Sequence, residues 1–288
     1  MKYLKKFATH EQYLAYINGS DALLPNVSLC VNKDDVHYNP YISPYNGQDY
    51  IDLSLPSGTI WAKMNVGANS ITDSGLLFAW GETTGYNSQG HTFSEENYRF
   101  YDNNNYTKYN YTDELTTLEL SDDAAHINMG GDWHMPNEEQ IKELIGYTTN
   151  GFVTLNGDFV QYRTDSTDYS YKYVGNGIYY NNGTYNSQDI VGTSTGNKFN
   201  GVEGYLFFNA ESDLATALAN DEFLFIPGAA FSVWSGVTGS WGLGYALALT
   251  LENEGGTYYS HTLYEDVYDY RWEGKYVRGV IGEIEPSV

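Results

Sequence analysis

Apolar positions along this chain come in short bursts separated by Gly, Asn, Asp and Ser, the pattern of brief strands joined by turns. Helical spacing is confined to a few stretches. Thr9-His10-Glu11-Gln12 has the form of a capping box, with Tyr13, Leu14 and Ile17 on one face behind it and Gly19 as a stop, which predicts a helix over 9–18. Val27–Val31 and Val36–Tyr38 flank Asn32–Asp35 and read as a hairpin. The Pro/Gly/Asn run Pro40–Asp49 reads as a connector, so residues 1–45 form a small N-terminal segment ahead of a body over 46–288. Some 45 residues are too few for a core of their own, and this segment is expected to fold against the body, sister chains or a larger structure.

In the body, Tyr50–Leu53 and Ile60–Asn65 read as strands around the turn Pro56-Ser57-Gly58, and Leu76–Trp80 as a third. Tyr86–Tyr111 is polar and aperiodic, which predicts a long surface loop. Ser121 is placed to cap a helix over Asp122–Asn128 that Gly130-Gly131 ends. Asn137 and Gln140 form a second capping box, sending Ile141, Leu144 and Ile145 into the core, with Gly146 as the stop. Residues 147–201, rich in Tyr, Asn, Gly and Thr, read as an inserted excursion of hairpins and loops. Gly204–Asn209 and Glu222–Ile226 read as strands around a small helix at 212–219, and Gly244–Leu251, Thr257–Leu263, Val267–Trp272 and Tyr276–Ile281 as short closing strands. No internal repeat is visible.

Charge narrows the partners. Fourteen Lys+Arg face 37 Asp+Glu, a net charge of −23, which repels nucleic-acid phosphates and anionic lipid; its plain role is to keep the surface soluble. Twenty-nine tyrosines and 30 glycines suit both recognition surfaces and loop-rich β-proteins. Cys30 is the single cysteine, so no intramolecular disulfide forms. The opening MKYLKKFATHEQYLAYI lacks the apolar stretch of a signal peptide, and no run of apolar residues is long enough to span a membrane. The expectation is a protein folded in a cytoplasm that reaches any outside site by lysis or within a particle, without membrane insertion.

Catalytic signals are weak. No G-x-S-x-G elbow occurs, and His10, His37, His91, His126, His134 and His261 are isolated, with no metal-binding pair. Carboxylate pairs abound, as chance dictates with so many acids, so glycosidase chemistry stays a minor alternative. No catalytic residue, metal or cofactor is expected.

Tyr50–Ala68 (YIDLSLPSGTIWAKMNVGA), Phe78–Thr83 (FAWGET), Leu118–Leu144 (LELSDDAAHINMGGDWHMPNEEQIKEL), Phe225–Ala230 (FIPGAA) and Val233–Gly236 (VWSG) follow one another in an order that resembles bacterial and phage proteins with a C-type-lectin-like fold. That group includes the major paralogous domains and sits near phage tropism determinants and formylglycine-generating enzymes. The resemblance implies an α+β body, short helices packed on twisted antiparallel sheets, that carries a variable C-terminal binding surface. It also implies that Trp61, Trp80, Trp133 and Trp234, which lie inside the phrases, pack the core, and that Asp122-Asp123 caps a helix and stabilises a turn. The redox activity of the formylglycine-generating relatives needs a cysteine pair and is excluded by Cys30 standing alone. The E-P-N and W-N-D triplets of calcium-dependent lectins are missing, and the acidic Glu265–Asp269 run lacks the spacing of a known calcium loop. Where the group closes on Arg-Pro-Val, this chain has Val277-Arg278-Gly279-Val280, and Arg278 is expected to keep its structural place.

The strongest functional signal is Thr257–Trp272 (TYYSHTLYEDVYDYRW). As strands, alternate positions share a face: Tyr258, Ser260, Thr262, Tyr264, Asp266, Tyr268, Tyr270 and Trp272, with Tyr259, His261 and Asp269 on or beside the other. The candidate ligand-binding set is Trp241, Tyr258, Ser260, His261, Tyr264, Asp266, Tyr268, Tyr270 and Trp272, an aromatic surface suited to stacking on sugars or gripping a protein. In the resembling tropism determinants, receptor-binding residues occupy this region. KFATHEQY and LPNVSLCVNKDDVHYNPY are similar to the openings of fibre and surface proteins from phages of gut anaerobes. The expectation is therefore a fibre or spike on a virion surface, joined to other virion proteins through residues 1–45, homotrimeric by analogy, and binding a host glycan or surface protein. A structural head-fibre or capsid-decorating protein is the alternative.

Overall fold

The computed structural model describes residues 45–87, 90–162, 171–174, 177–180, 190–228, 231–238, 245–253 and 261–282; within these, stretches such as 171–174, 177–180 and 261–268 are described by their backbone alone. The expected helix at 9–18, the hairpin at 27–38, Cys30, Trp241, Tyr258 and Ser260 lie outside the described residues. Residues Pro44–Val288 form one unit.

In chain order the strands are β1 (Tyr50–Asp52), β2 (Ile60–Asn65), β3 (Leu77–Phe78), β4 (Tyr101–Asp102), β5 (Asn105–Tyr106), β6 (Thr148–Val153), β7 (Asp158–Tyr162), β8 (Tyr171–Val174) and β9 (Gly177–Tyr180). There follow β10 (Ile190–Ser194), β11 (Gly204–Asn209), β12 (Phe223–Pro227), β13 (Phe231–Thr238), β14 (Tyr245–Asn253), β15 (His261–Tyr270), β16 (Lys275–Tyr276) and β17 (Arg278–Ile281). The helices are α1 (Ala124–Met129), α2 (Glu138–Tyr147) and α3 (Leu214–Asn220). The architecture is mixed α+β, mostly sheet with short helices, and the described sheets do not close into a barrel. No described helix is long and apolar enough to cross a membrane.

Three sheets carry the body. In the first, β2 lies between β1 and β17, with Trp61 opposite Ile51 on one side and Val280 on the other. The second runs β10-β7-β6-β11-β12 and is antiparallel throughout. Because β6 and β7 sit in its ladder, the first part of the 147–201 stretch belongs to a main sheet. The third runs β15-β14-β13-β16-β3, with β16 parallel to β13.

The sequence phrases interlock. Trp80 donates its indole N–H to the Ser235 carbonyl at 2.9 Å, and Trp234 returns one to the Phe78 carbonyl at 2.8 Å. His134 and Val280 exchange backbone hydrogen bonds, and the Trp133 indole reaches the Tyr45 carbonyl at 2.8 Å. Trp61, Trp80, Trp133 and Trp234 are completely buried, as expected for core anchors; each such burial contributes roughly 2–3 kcal/mol.

Local signals behave unevenly. The Asn137–Gln140 capping box forms in both directions, and Ile141, Leu144 and Ile145 are buried. Gly146 does not end α2; the helix runs to Tyr147, where the Thr148 hydroxyl and the Asn150 amide take the last carbonyls. Asp123, not Ser121, caps α1, because its carboxylate receives both the His126 and Met135 amides, and Gly130 ends the helix at φ 68°. The strand expected at Leu76–Trp80 shrinks to Leu77–Phe78, since Trp80 turns away to donate its amide to the Arg271 carbonyl.

The expected surface loop at 86–111 is corrected in substance. It contains the hairpin β4–β5, turned by Asn103 and Asn104 at positive φ, and it drives Tyr98, Phe100 and Tyr109 into the core beside Trp80. Buried Asp122 locks the loop down: Lys108 reaches it at 2.5 Å, the Tyr109 hydroxyl at 2.8 Å and Arg99 at 3.2 Å.

Candidate functional site

The third sheet's outer pair, β14 and β15, carries the sequence-predicted surface. Where two strands were expected, Thr257–Leu263 and Val267–Trp272, the described residues form a single strand, His261–Tyr270, that runs through the end of the first and most of the second; 257–260 lie outside the described residues. Its register against β14 pairs Tyr245 with Tyr270, Leu247 with Tyr268 and Ala248 with Val267, then Thr250 with Tyr264. Two steps along β14 match three along β15, so β15 bulges there. The expected single face is corrected accordingly: one extra residue reverses the sides of all positions beyond it, and 264 and 268 fall out of phase.

Of the candidate residues, His261, Tyr264, Asp266 and Tyr268 are placed in β15 by backbone register alone. Tyr270 and Trp272 are described in full, and they come together. Their rings stack with centroids 5.3 Å apart and planes at 15°. Tyr245, across the ladder, stacks on Tyr270 at 4.8 Å and 28°. Tyr270 is thus the middle of an aromatic column. Tyr270 nevertheless stays 44% exposed. A hydrogen bond with the Tyr270 hydroxyl pushes the Tyr245 phenol above its ordinary pKa. Trp272 also packs, half-buried, against the core cluster that holds Trp80 and Trp234.

Arg271, between the two aromatic residues in sequence, points the other way and is buried. Its guanidinium sits over the rings of Trp80 (4.8 Å) and Tyr106 (5.4 Å). Its Nη1 donates to the Tyr109 carbonyl at 2.9 Å and its Nε to the Tyr245 carbonyl at 3.3 Å. One side chain therefore ties the backbone under Tyr245 to the β4–β5 excursion and fixes the base of the column. Burial pulls its pKa below the ordinary arginine value and pushes that of Tyr106 up to about 12. The turn after β15 closes tightly: a Cβ at Gly274 would meet the Phe93 ring at 2.3 Å. Lys275 then spans Asp269 (2.7 Å) and Glu273 (3.1 Å) with its ammonium over Trp234.

The basic side chains elsewhere are also engaged. Lys63 and Lys198 hold Asp221, Arg99 and Lys108 hold Asp122, and Lys142 holds Glu138 and Glu139. Among the described residues, no lysine or arginine with a described side chain is left without a partner.

His126 and His134 serve structure. The first faces the Trp133 carbonyl at 3.1 Å, the second the Met135 carbonyl at 2.9 Å and the Gly282 carbonyl at 3.3 Å. Among the described residues no group of His, Cys, Asp and Glu is arranged to hold a metal. Sequence reasoning missed Tyr245 and Arg271. Tyr245 opens a strand that was legible, but its cross-strand partner was not. Arg271 did carry a signal, as a lone cation between aromatics in an acidic stretch. Comparison with family models, curated proteins and solved structures finds no match.

Proposed function

We propose that this chain is a fibre or spike protein of a virion surface, whose C-terminal aromatic face binds a host-cell glycan or surface protein without chemistry. The observation that carries the reading is the Tyr245–Tyr270–Trp272 column, exposed at Tyr270 and braced from below by Arg271. Aromatic side chains held before binding lose little freedom on contact, which is what makes them effective anchors. The C-type-lectin-like assignment of the body belongs to the same proposal. Its supports are the pairing of the first and last strands of the body on β2 and the interlocking of the tryptophan phrases. Residues 1–45 attach the body to other virion proteins, and assembly as a homotrimer multiplies individually weak contacts.

The test is binding of the full chain to a panel of gut-bacterial strains and their capsule-less mutants, beside Tyr270→Ala. The expected result is strain-selective binding that the variant weakens at least tenfold at unchanged melting temperature. Binding to no strain would sink the receptor reading and leave a structural head-fibre or capsid-decorating role.

A further inference from the structure

We infer that the ligand of the aromatic column is an uncharged glycan. This rests on the receptor-binding reading and narrows it. The first support is charge. An anionic sugar or an acidic peptide needs an unpaired cation, and among the described side chains the cations nearest the column are engaged: Arg271 is buried on carbonyls and rings, and Lys275 is held by Asp269 and Glu273. Around them stands a chain of net charge −23, which repels anions further.

The second support is footprint. A stable protein partner covers roughly 800 Å² per side around an apolar centre. Among the described residues the other exposed large apolar side chains are Tyr50, Tyr111, Leu120, Ile127, Tyr147 and Leu155. None of these lies among the described side chains of β13 to β16. The described anchor, three stacked rings of which Tyr270 is exposed, matches the footprint of a few sugar rings.

The third support is chemistry. The column offers aromatic surface together with the phenol hydroxyls of Tyr245 and Tyr270. Beside it, the Asp269 and Glu273 carboxylates have more lone pairs than Lys275 can occupy. Hydroxyls that donate and accept, set beside weak C–H donors and carboxylate acceptors, complement the hydroxyl-covered rim of a neutral sugar. A cationic ligand would have to approach those carboxylates past the Lys275 ammonium that bridges them and offsets one of their two charges.

The experiment uses the full chain on immobilised mannan, dextran and galactan, with alginate and hyaluronan as acidic polymers and chitosan as the cationic one. Tyr270→Ala and Tyr270→Phe are run beside it, with melting temperatures recorded. The inference expects retention on at least one neutral polymer, insensitive to salt. It expects at least a tenfold loss in Tyr270→Ala and a smaller loss in Tyr270→Phe, which keeps the stack and removes only the hydroxyl. Retention solely on acidic polymers or on chitosan overturns the uncharged class while leaving receptor binding intact. Retention on neutral polymers that neither variant alters puts the site elsewhere and overturns the inference. Binding to bacterial cells with no retention on any polymer also overturns it, in favour of a protein receptor. Failure to bind cells as well overturns the receptor reading itself.

Discussion

Arg271 and Arg278 bring two charges into the core and meet them mostly with backbone. Arg278 donates to the Ala62 and Phe225 carbonyls at 3.0 and 3.1 Å and to the Asn65 side chain at 2.7 Å. Burial pulls its pKa down to about 9, yet a guanidinium loses its proton far less readily than an ammonium, so the site stays charged at neutral pH. The fork geometry of Arg271 reaches two separate carbonyls while its guanidinium sits over the Trp80 ring, which a lysine cannot reproduce. Arg271→Lys is expected to lose about 2–4 kcal/mol in chemical denaturation and to weaken ligand binding. A change below about 0.5 kcal/mol, within the range of ordinary surface substitutions, would refute the bracing role. Asp221 reports on pH. The hydrogen bond from Lys63, and after it that from Lys198, holds its carboxyl below the usual range. A carboxyl lowered on folding adds stability that is complete above its unfolded pKa of about 3.9 and vanishes as pH falls through the folded value. With 56% of the side chain exposed, screening limits this to a few tenths of a kcal/mol, on the order expected for surface pairs. Asp221→Asn should therefore flatten the acid limb of a stability–pH curve below about pH 4 while leaving the stability change from pH 6 to 8 as it was.

Among elements, α2 is held by its ends. Asn137→Ala removes the acceptor for the Gln140 amide and should cost about 1 kcal/mol, read as a lower melting temperature with binding unchanged. This cap was legible because both partners lie within three residues. At α1 local pattern pointed to Ser121 and only the resemblance to Asp122-Asp123; the second partner of Asp123, the Met135 amide, is twelve residues away, and that bond selects it over Ser121. The same reason hides the buried rings of the 86–111 segment. Tyr98, Phe100 and Tyr109 look like loop tyrosines and phenylalanines until Trp80, Asp122 and Arg271 are folded around them. At the site, the aromatic run legible in the sequence puts Tyr270 at the end of β15 and Trp272 in the turn after it. It did not show the bulge, because an extra residue leaves the local apolar pattern intact and reveals itself only in the pairing with β14.

The whole body is closed by its own last strand. β17 completes the ladder on β2 and carries Arg278, whose Nη2 reaches the Phe225 carbonyl on β12, an edge strand of the second sheet. Deleting 278–288 removes a sheet neighbour and a three-way tie at once, and the shortened chain is expected to show no cooperative unfolding transition in calorimetry. A sharp transition within a few degrees of the full chain would contradict this. At this scale the α+β class and many short strands were legible, whereas the order of strands in the sheets was not, since it is written in contacts between distant segments. The grip of both buried arginines on main-chain carbonyls has a consequence for how such a protein can change. Every amino acid supplies the same carbonyl oxygen, so Tyr245, at the site itself, can be exchanged without erasing the oxygen that Arg271 holds. Mutation can then revise what the outer surface recognises while the frame beneath it keeps its shape, and a lineage can explore new ligands without first surrendering its fold.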